Sequence, residues 1–189
     1  GNLSPLPLAV SSLSSSKEDQ KKLEKELNLE DLGLEISKVV ENNLKKSGLF
    51  NPLDKAAFLQ KPDIAHLKPR FEDWRLITAQ ALVTGKLIVK DEKLKVEFRL
   101  WDLTASKEIL ALAFTTTPSN WRRVAHIISD KIYERLTGEE GYFDTRVIYV
   151  AESALRAVRL CQPLKVPPTG YDKWKNLQLN FNPTEMLKG

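Results

Sequence analysis

His126, Asp130 and Glu134 recur every fourth residue in a stretch with helical periodicity. On one helix face that spacing lets a carboxylate orient an imidazole, or begins a carboxylate–histidine metal set. No second histidine is placed to complete such a set, because His66 is the other one in the chain. The plainer reading is a helix side chain hydrogen-bonded to its neighbour. Cys161 with His66 or His126 has the residue types of a nucleophile and its base. Cys161 falls in a proline-bearing C-terminal stretch, where such geometry is hard to hold, and there it reads as a small apolar residue. Asp102 and Asp144 are two carboxylates of the kind used as acid and base. Asp102 follows Trp101 at a strand end, however, and reads as a turn residue. Gly85-Lys86 lacks the upstream glycine and the following hydroxyl residue of a phosphate loop, and there is no dinucleotide fingerprint and no Gly-x-Ser-x-Gly elbow. No catalytic residue, cofactor or metal is expected. A small hydrolase using His126 is the enzyme alternative.

Contact chemistry is better represented than catalysis. Alternation puts Trp101 on the wet face of its strand, where a large ring invites a partner. Arg122-Arg123 opens a helix against the dipole preference, which suits either a local acid or a docking contact. Leu6, Leu8 and Val10 alternate in a short strand flanked by Pro5 and Pro7, and these prolines suggest an edge open to strand addition.

Composition bounds the rest. The chain has 189 residues, 42% hydrophobic, with one cysteine and a net charge of +4. That is one ordinary domain with an appendage, able to build a core and lacking any disulfide framework. Residues 1–152 are balanced, with 23 basic and 23 acidic side chains, and the excess lies in residues 153–189. A balanced body is not the basic footprint of a nucleic-acid domain, so a nucleic-acid-binding adaptor is the second alternative. No stretch approaches the ~18 consecutive apolar residues of a membrane helix, and Gly1 to Val10 has no leader pattern.

Stepping along the chain, Pro5–Val10 predicts a strand and Ser11–Ser16 a serine-rich connector. Ser16 with Asp19 resembles a helix-start box, opening a charged turn or two over residues 17–26. Residues 31–46 predict the first main helix, with Leu32, Ile36, Val39, Val40 and Leu44 on one stripe, Ser47-Gly48 as its stop and Gly33 as a weak point. A short strand is expected at 50–53, a helical turn at 54–59, a surface loop at 60–70 and a short helix at 71–78. Residues 81–90, 94–101 and 108–116 predict a three-strand meander. Residues 118–136 predict the second main helix, with Trp121, Val124, Ile128, Ile132 and Leu136 inward. Residues 146–150 predict a last strand. The expected fold is α/β (α+β): a mixed sheet with two main helices on one face, over 1–152. Residues 153–189 read as an irregular basic extension.

The runs Asp73-Trp-Arg-Leu-Ile-Thr-Ala-Gln-Ala-Leu-Val-Thr-Gly85, Phe98-Arg-Leu-Trp-Asp102 and Trp121-Arg-Arg-Val-Ala-His-Ile-Ile-Ser-Asp-Lys-Ile-Tyr-Glu-Arg-Leu-Thr-Gly138 resemble the family of TolB amino-terminal domains. The likeness continues through Gly141-Tyr-Phe-Asp-Thr-Arg-Val-Ile-Tyr-Val150. Ser47-Gly-Leu-Phe-Asn-Pro-Leu-Asp54 and Pro5-Leu-Pro-Leu-Ala-Val10 fit as well, so the likeness spans about residues 2–152. It implies a periplasmic, non-enzymatic part of the Tol-Pal envelope system, supporting outer-membrane integrity and cell division. It implies docking of TolA-like and Pal-like proteins, no nucleic acid, no membrane insertion and a monomer. The family's segment that engages TolA lies just before the equivalent of Asn2, so Asn2 and Leu3 join Leu6, Leu8, Trp101, Arg122 and Arg123 as candidate contact residues. That upstream segment is expected to be absent here. Residues 153–189 are too short for the family's propeller, in which one blade takes ~40 residues.

Overall fold

Gly33 and Gly85 lie far apart in the chain, yet both face Leu13 in the computed structural model, which describes residues 4–21, 28–145 and Arg156. A Cβ built on Gly33 would overlap the Leu13 carbonyl oxygen, and one built on Gly85 would overlap the Leu13 side chain. Leu13 is itself buried, and its N–H donates to Gly33 O at 3.2 Å. The two glycines therefore form a notch that lets a helix and a strand close on one leucine. The helical cost of Gly33 is real, but close packing requires the missing side chain.

The elements follow the expected order. They are β1 (Leu6–Val10), β2 (Ser14–Ser15), α1 (Lys17–Lys21), α2 (Leu29–Lys46) and β3 (Phe50–Pro52), then a 3-10 turn at Lys55–Ala57. Next come α3 (Pro62–Leu67), α4 (Phe71–Leu76), β4 (Ala81–Lys90), β5 (Lys93–Asp102) and β6 (Lys107–Thr116), and, after a 3-10 turn at Pro118–Asn120, α5 (Trp121–Thr137). The sheet order is β3-β1-β4-β5-β6, with β2 pairing the far part of β4. β1 runs parallel to β3 and β4, while β4, β5 and β6 are antiparallel. The sheet is mixed, as expected.

The local chemistry explains the boundaries. Asn28 caps α2, its side chain accepting from Glu30 N at 2.9 Å, a cap of the kind worth about 1 kcal/mol. Ser16 and Asp19 form the expected box: Asp19 N donates to Ser16 Oγ at 3.0 Å. Asp91 and Glu92 both have positive φ, the geometry of the tight two-residue turn that matches strand twist. Gly138 ends α5 in the left-handed conformation, its N–H donating to Glu134 O at 2.9 Å.

Three readings change. Residues 60–70 are not all loop, because α3 occupies Pro62–Leu67. Pro62 takes the first helical turn, where no N–H is needed, and Pro69 lies just beyond the end. The serine-rich connector holds β2. β1 is not an edge, because it lies between β3 and β4. Pro7 survives there because its missing N–H falls below the first β4 pair, where only its carbonyl is used, accepting from Gln80 N at 2.9 Å. The expected strand at 146–150 and the extension at 153–189 lie outside the described residues, apart from Arg156.

Side chains of α2 and α5 build the main core with Leu8, Val10, Val83, Leu87, Val96 and Phe98 on one sheet face. The opposite face is covered at one end by α3 and α4, where Ala65 and Trp74 pack with Ala9, Leu82, Trp101 and Leu103. The first compact unit runs Gly1–Phe143.

The notch yields a prediction whose sign opposes helix propensity. Gly33→Ala should gain up to ~1 kcal/mol as a bare helix change. Overpacking against the Leu13 main chain, which costs about 1–3 kcal/mol or more, should outweigh this and leave a net loss. A urea midpoint that falls confirms the notch, and one that rises refutes it.

Candidate functional site

His126 cannot act as a surface base. It lies in α5, facing α2, and is 1% exposed. Asn43 Nδ2 meets His126 Nδ1 at 2.9 Å and donates to Ser129 Oγ at 3.0 Å, and Ser129 Oγ donates to Ala125 O at 2.9 Å. The tautomer that accepts from Asn43 carries its proton on Nε2. This polar chain crosses the helix–helix contact and fixes its register. Asp130 is used elsewhere, its Oδ1 accepting from Phe143 N at 2.6 Å. Glu134 pairs with Lys131 at 2.8 Å at the surface. The residues at this spacing therefore serve separate structural ends. Among the described residues no group of three metal-ligating side chains is placed to hold an ion. Cys161 lies outside them.

Asp102 is the turn residue expected, its Oδ1 accepting from Ala105 N at 2.8 Å. His66 sits in α3 and is 3% exposed, with a buried Nδ1 that no described group hydrogen-bonds. Burial, then the nearby Arg99, lowers its pKa from 6.5; Lys86 acts the same way, and Glu97 and Glu108 oppose it. Glu97 is itself held below the usual carboxylate range, chiefly by the hydrogen bond from Lys95.

The contact candidates divide. Trp101 is buried, not wet. Alternation assigns its face correctly, but α3 and α4 cover that face here, and Trp101 Nε1 donates to Thr84 Oγ1 at 3.0 Å. The ring meets Phe71 edge-on at 6.1 Å. Leu8 is fully buried in the main core. Leu6 is half-buried and packs against that core. Arg122 lies over the Trp121 ring at 4.5 Å, and Arg123 is exposed. Asn2 and Leu3 lie outside the described residues.

Gln60 was missed by the sequence reading. It is buried, its Nε2 donates to Lys68 O at 3.0 Å, and its Oε1 accepts from Arg70 N at 2.9 Å and Trp74 Nε1 at 3.1 Å. One amide thus fastens α3 to α4. A lone glutamine in a polar run carries no signal for this. On the open part of that sheet face Lys95 pairs with Glu97 at 2.6 Å and Arg99 with Glu108 at 3.0 Å. An open groove of about 390 Å³ lies between α2 and the segment after β3, with Lys38, Lys45 and Lys55 on its walls. Glu41 pairs with Lys55 there, and neither histidine nor cysteine lines it.

Comparison with known proteins gives one consistent result. A family model described as the TolB amino-terminal domain matches residues 1–109. A Tol-Pal system protein TolB from Pelagibacter ubique is 69% identical over 160 residues, which is 85% of this chain and 36% of that protein. The chain thus spans about a third of the length of this curated relative. The crystal structure of TolB from Acinetobacter baumannii shares the fold with a TM-score of 0.58 and 21% identity, covering 74% of this chain and 30% of that one.

Two predictions follow the histidines. His126→Ala should lower stability by about 1–3 kcal/mol, because Asn43 loses a buried partner. An unchanged urea midpoint would remove the bridge. For His66, the unfolded imidazole takes a proton near pH 6.5 while the buried one resists. The unfolded chain therefore binds more protons as pH falls, and stability is lost from about pH 6.5 downward. His66→Gln should flatten that part of the stability–pH curve. The same slope in both proteins would place its origin elsewhere.

Proposed function

This chain belongs to the TolB amino-terminal domain family, and we propose that it serves as a periplasmic, non-enzymatic contact module of the Tol-Pal system. On this reading it docks TolA-like and Pal-like proteins as a single chain and thereby supports outer-membrane integrity and cell division. The carrying observation is the 69% identity with a Tol-Pal system protein over 160 residues. The fate of the chemistry-bearing side chains supports the same reading: His126 bridges α5 to α2, Asp130 holds the segment after α5, and Asp102 shapes a turn. Asn2, Leu3, Leu6, Arg122 and Arg123 are the proposed contact residues. Leu8 and Trp101 serve the two cores instead.

Calorimetric titration with a TolA-type carboxy-terminal domain, and separately with a Pal-type domain, tests the proposal. Saturable binding to at least one is expected, weakened about tenfold or more by the Arg122→Ala, Arg123→Ala double variant if those side chains carry a share of ~1.4 kcal/mol. Absence of heat with both partners at concentrations on the order of 100 µM would overturn the docking claim.

A further inference from the structure

The sheet protects its edges unequally. β3 is 3 residues long and ends at Pro52. The outer side of β4 is occupied by β1, then β2, and then by Asp19, whose Oδ1 accepts from Val89 N at 3.0 Å. β6 is 10 residues long and, among the described residues, pairs with β5 alone. Long open edges are ordinarily blunted by charge, proline or a bulge. Here only one end is blunted. The register shifts near Leu100 and Trp101, and Ile109 O accepts from Arg135 Nε at 2.9 Å. From Leu110 to Thr116 there is no charge and no proline.

The register says which groups are free. The tight turn at Asp91-Glu92 closes on the pair Lys90–Lys93, which is hydrogen-bonded in such a hairpin. Bonding alternates outward from that pair, so Phe98 turns its N–H and C=O toward β6, as does its partner Leu112 toward β5. Ser11 N donating to Val83 O and Val89 N donating to Asp19 fix the same phase on β4. Ala111, Ala113 and Thr115 therefore turn their backbone groups to the open side, and all three are exposed. Leu110, Leu112 and Phe114 point their side chains to the α5 face, where Phe114 stacks on Phe98 at 6.2 Å and Leu112 is left 36% exposed.

We propose that the outer edge of β6 is a strand-addition site for an extended segment of a partner polypeptide. The segment is uncharged over about five residues. It carries bulky apolar side chains at alternate positions, beside Leu110, Leu112 and Phe114, and small or hydroxyl side chains beside Ala111, Ala113 and Thr115. An uncharged row offers a charged strand no ionic partner, while alternation on the added strand extends the apolar row over Leu112. The edge chemistry goes beyond membership of the Tol-Pal system and does not rest on it.

The test uses the whole chain and a synthetic peptide, acetyl-Lys-Thr-Val-Thr-Val-Thr-Val-Thr-Lys-amide, read by amide hydrogen exchange. In the free chain the amides of Ala111, Ala113 and Thr115 should exchange at least about tenfold faster than those of Leu110, Leu112 and Phe114. Saturating peptide should slow the three by about tenfold or more. Ala113→Pro deletes an outward N–H without touching the β5 ladder and should abolish the slowing. Ala111→Lys, a milder change, should weaken it, and an unaltered thermal midpoint shows that either variant is folded. Slow exchange at the three amides in the free chain, or no slowing with peptide, overturns the proposal. Slowing that appears without peptide as protein concentration rises makes the occupant a second copy and overturns it equally. The peptide contains no TolA or Pal sequence, so failure here is separable from failure of Tol-Pal docking.

Discussion

The approach of α2 to the sheet depends on one leucine held between two glycines. Leu13 fills the space that side chains at Gly33 and Gly85 would need, and its main chain bonds to the helix. That contact sets how closely the helix lies on β4. Ile36, Val40 and Leu44 on the helix and Leu87 on the strand are fully or almost fully buried in the same core. Interiors pack like crystals, so a gap of one methyl group would be felt along the whole contact. α5 then closes on α2 through Asn43, His126 and Ser129, a polar bridge in an apolar interface. An apolar seam tolerates sliding, whereas a satisfied buried network does so only by breaking hydrogen bonds.

The second face works on a different principle. α3 and α4 are six residues each, too short to be stable as isolated helices. They persist because Trp74 and Ala65 are buried against Leu82 and Trp101, and because Gln60 joins both helices through three hydrogen bonds. His66 is buried in this thin layer with an Nδ1 that no described group hydrogen-bonds. Burial lowers the His66 pKa and so couples this layer to acidity.

The sheet edges differ from the sequence expectation. β1 is interior, so the proline-flanked strand lends its residues to the sheet rather than to a partner. Among the described residues the long unpaired boundary lies at β6 instead. There the backbone groups of Ala111, Ala113 and Thr115 face outward, the pattern that strand addition uses.

Much of this was legible in the amino-acid order. The 3.6-residue stripes of α2 and α5, the strict alternation of Leu94, Val96, Phe98 and Leu100, and the Ser16–Asp19 box are local patterns, and local patterns name their elements without further help. The family signature likewise resides in the residue string. Tertiary structure alone decided four things. Trp101 became core because α3 covers its face, and two prolines had disguised that helix as a loop. β1 became interior because β3 and β4 come from distant parts of the chain and both pair with it. Gly33 changed from a weak helix residue into a packing requirement, and His126 from a candidate base into an interhelical bridge. The reason is common to all four: periodicity reports which face a side chain takes, but the occupant of that face is fixed by contacts between residues remote in sequence.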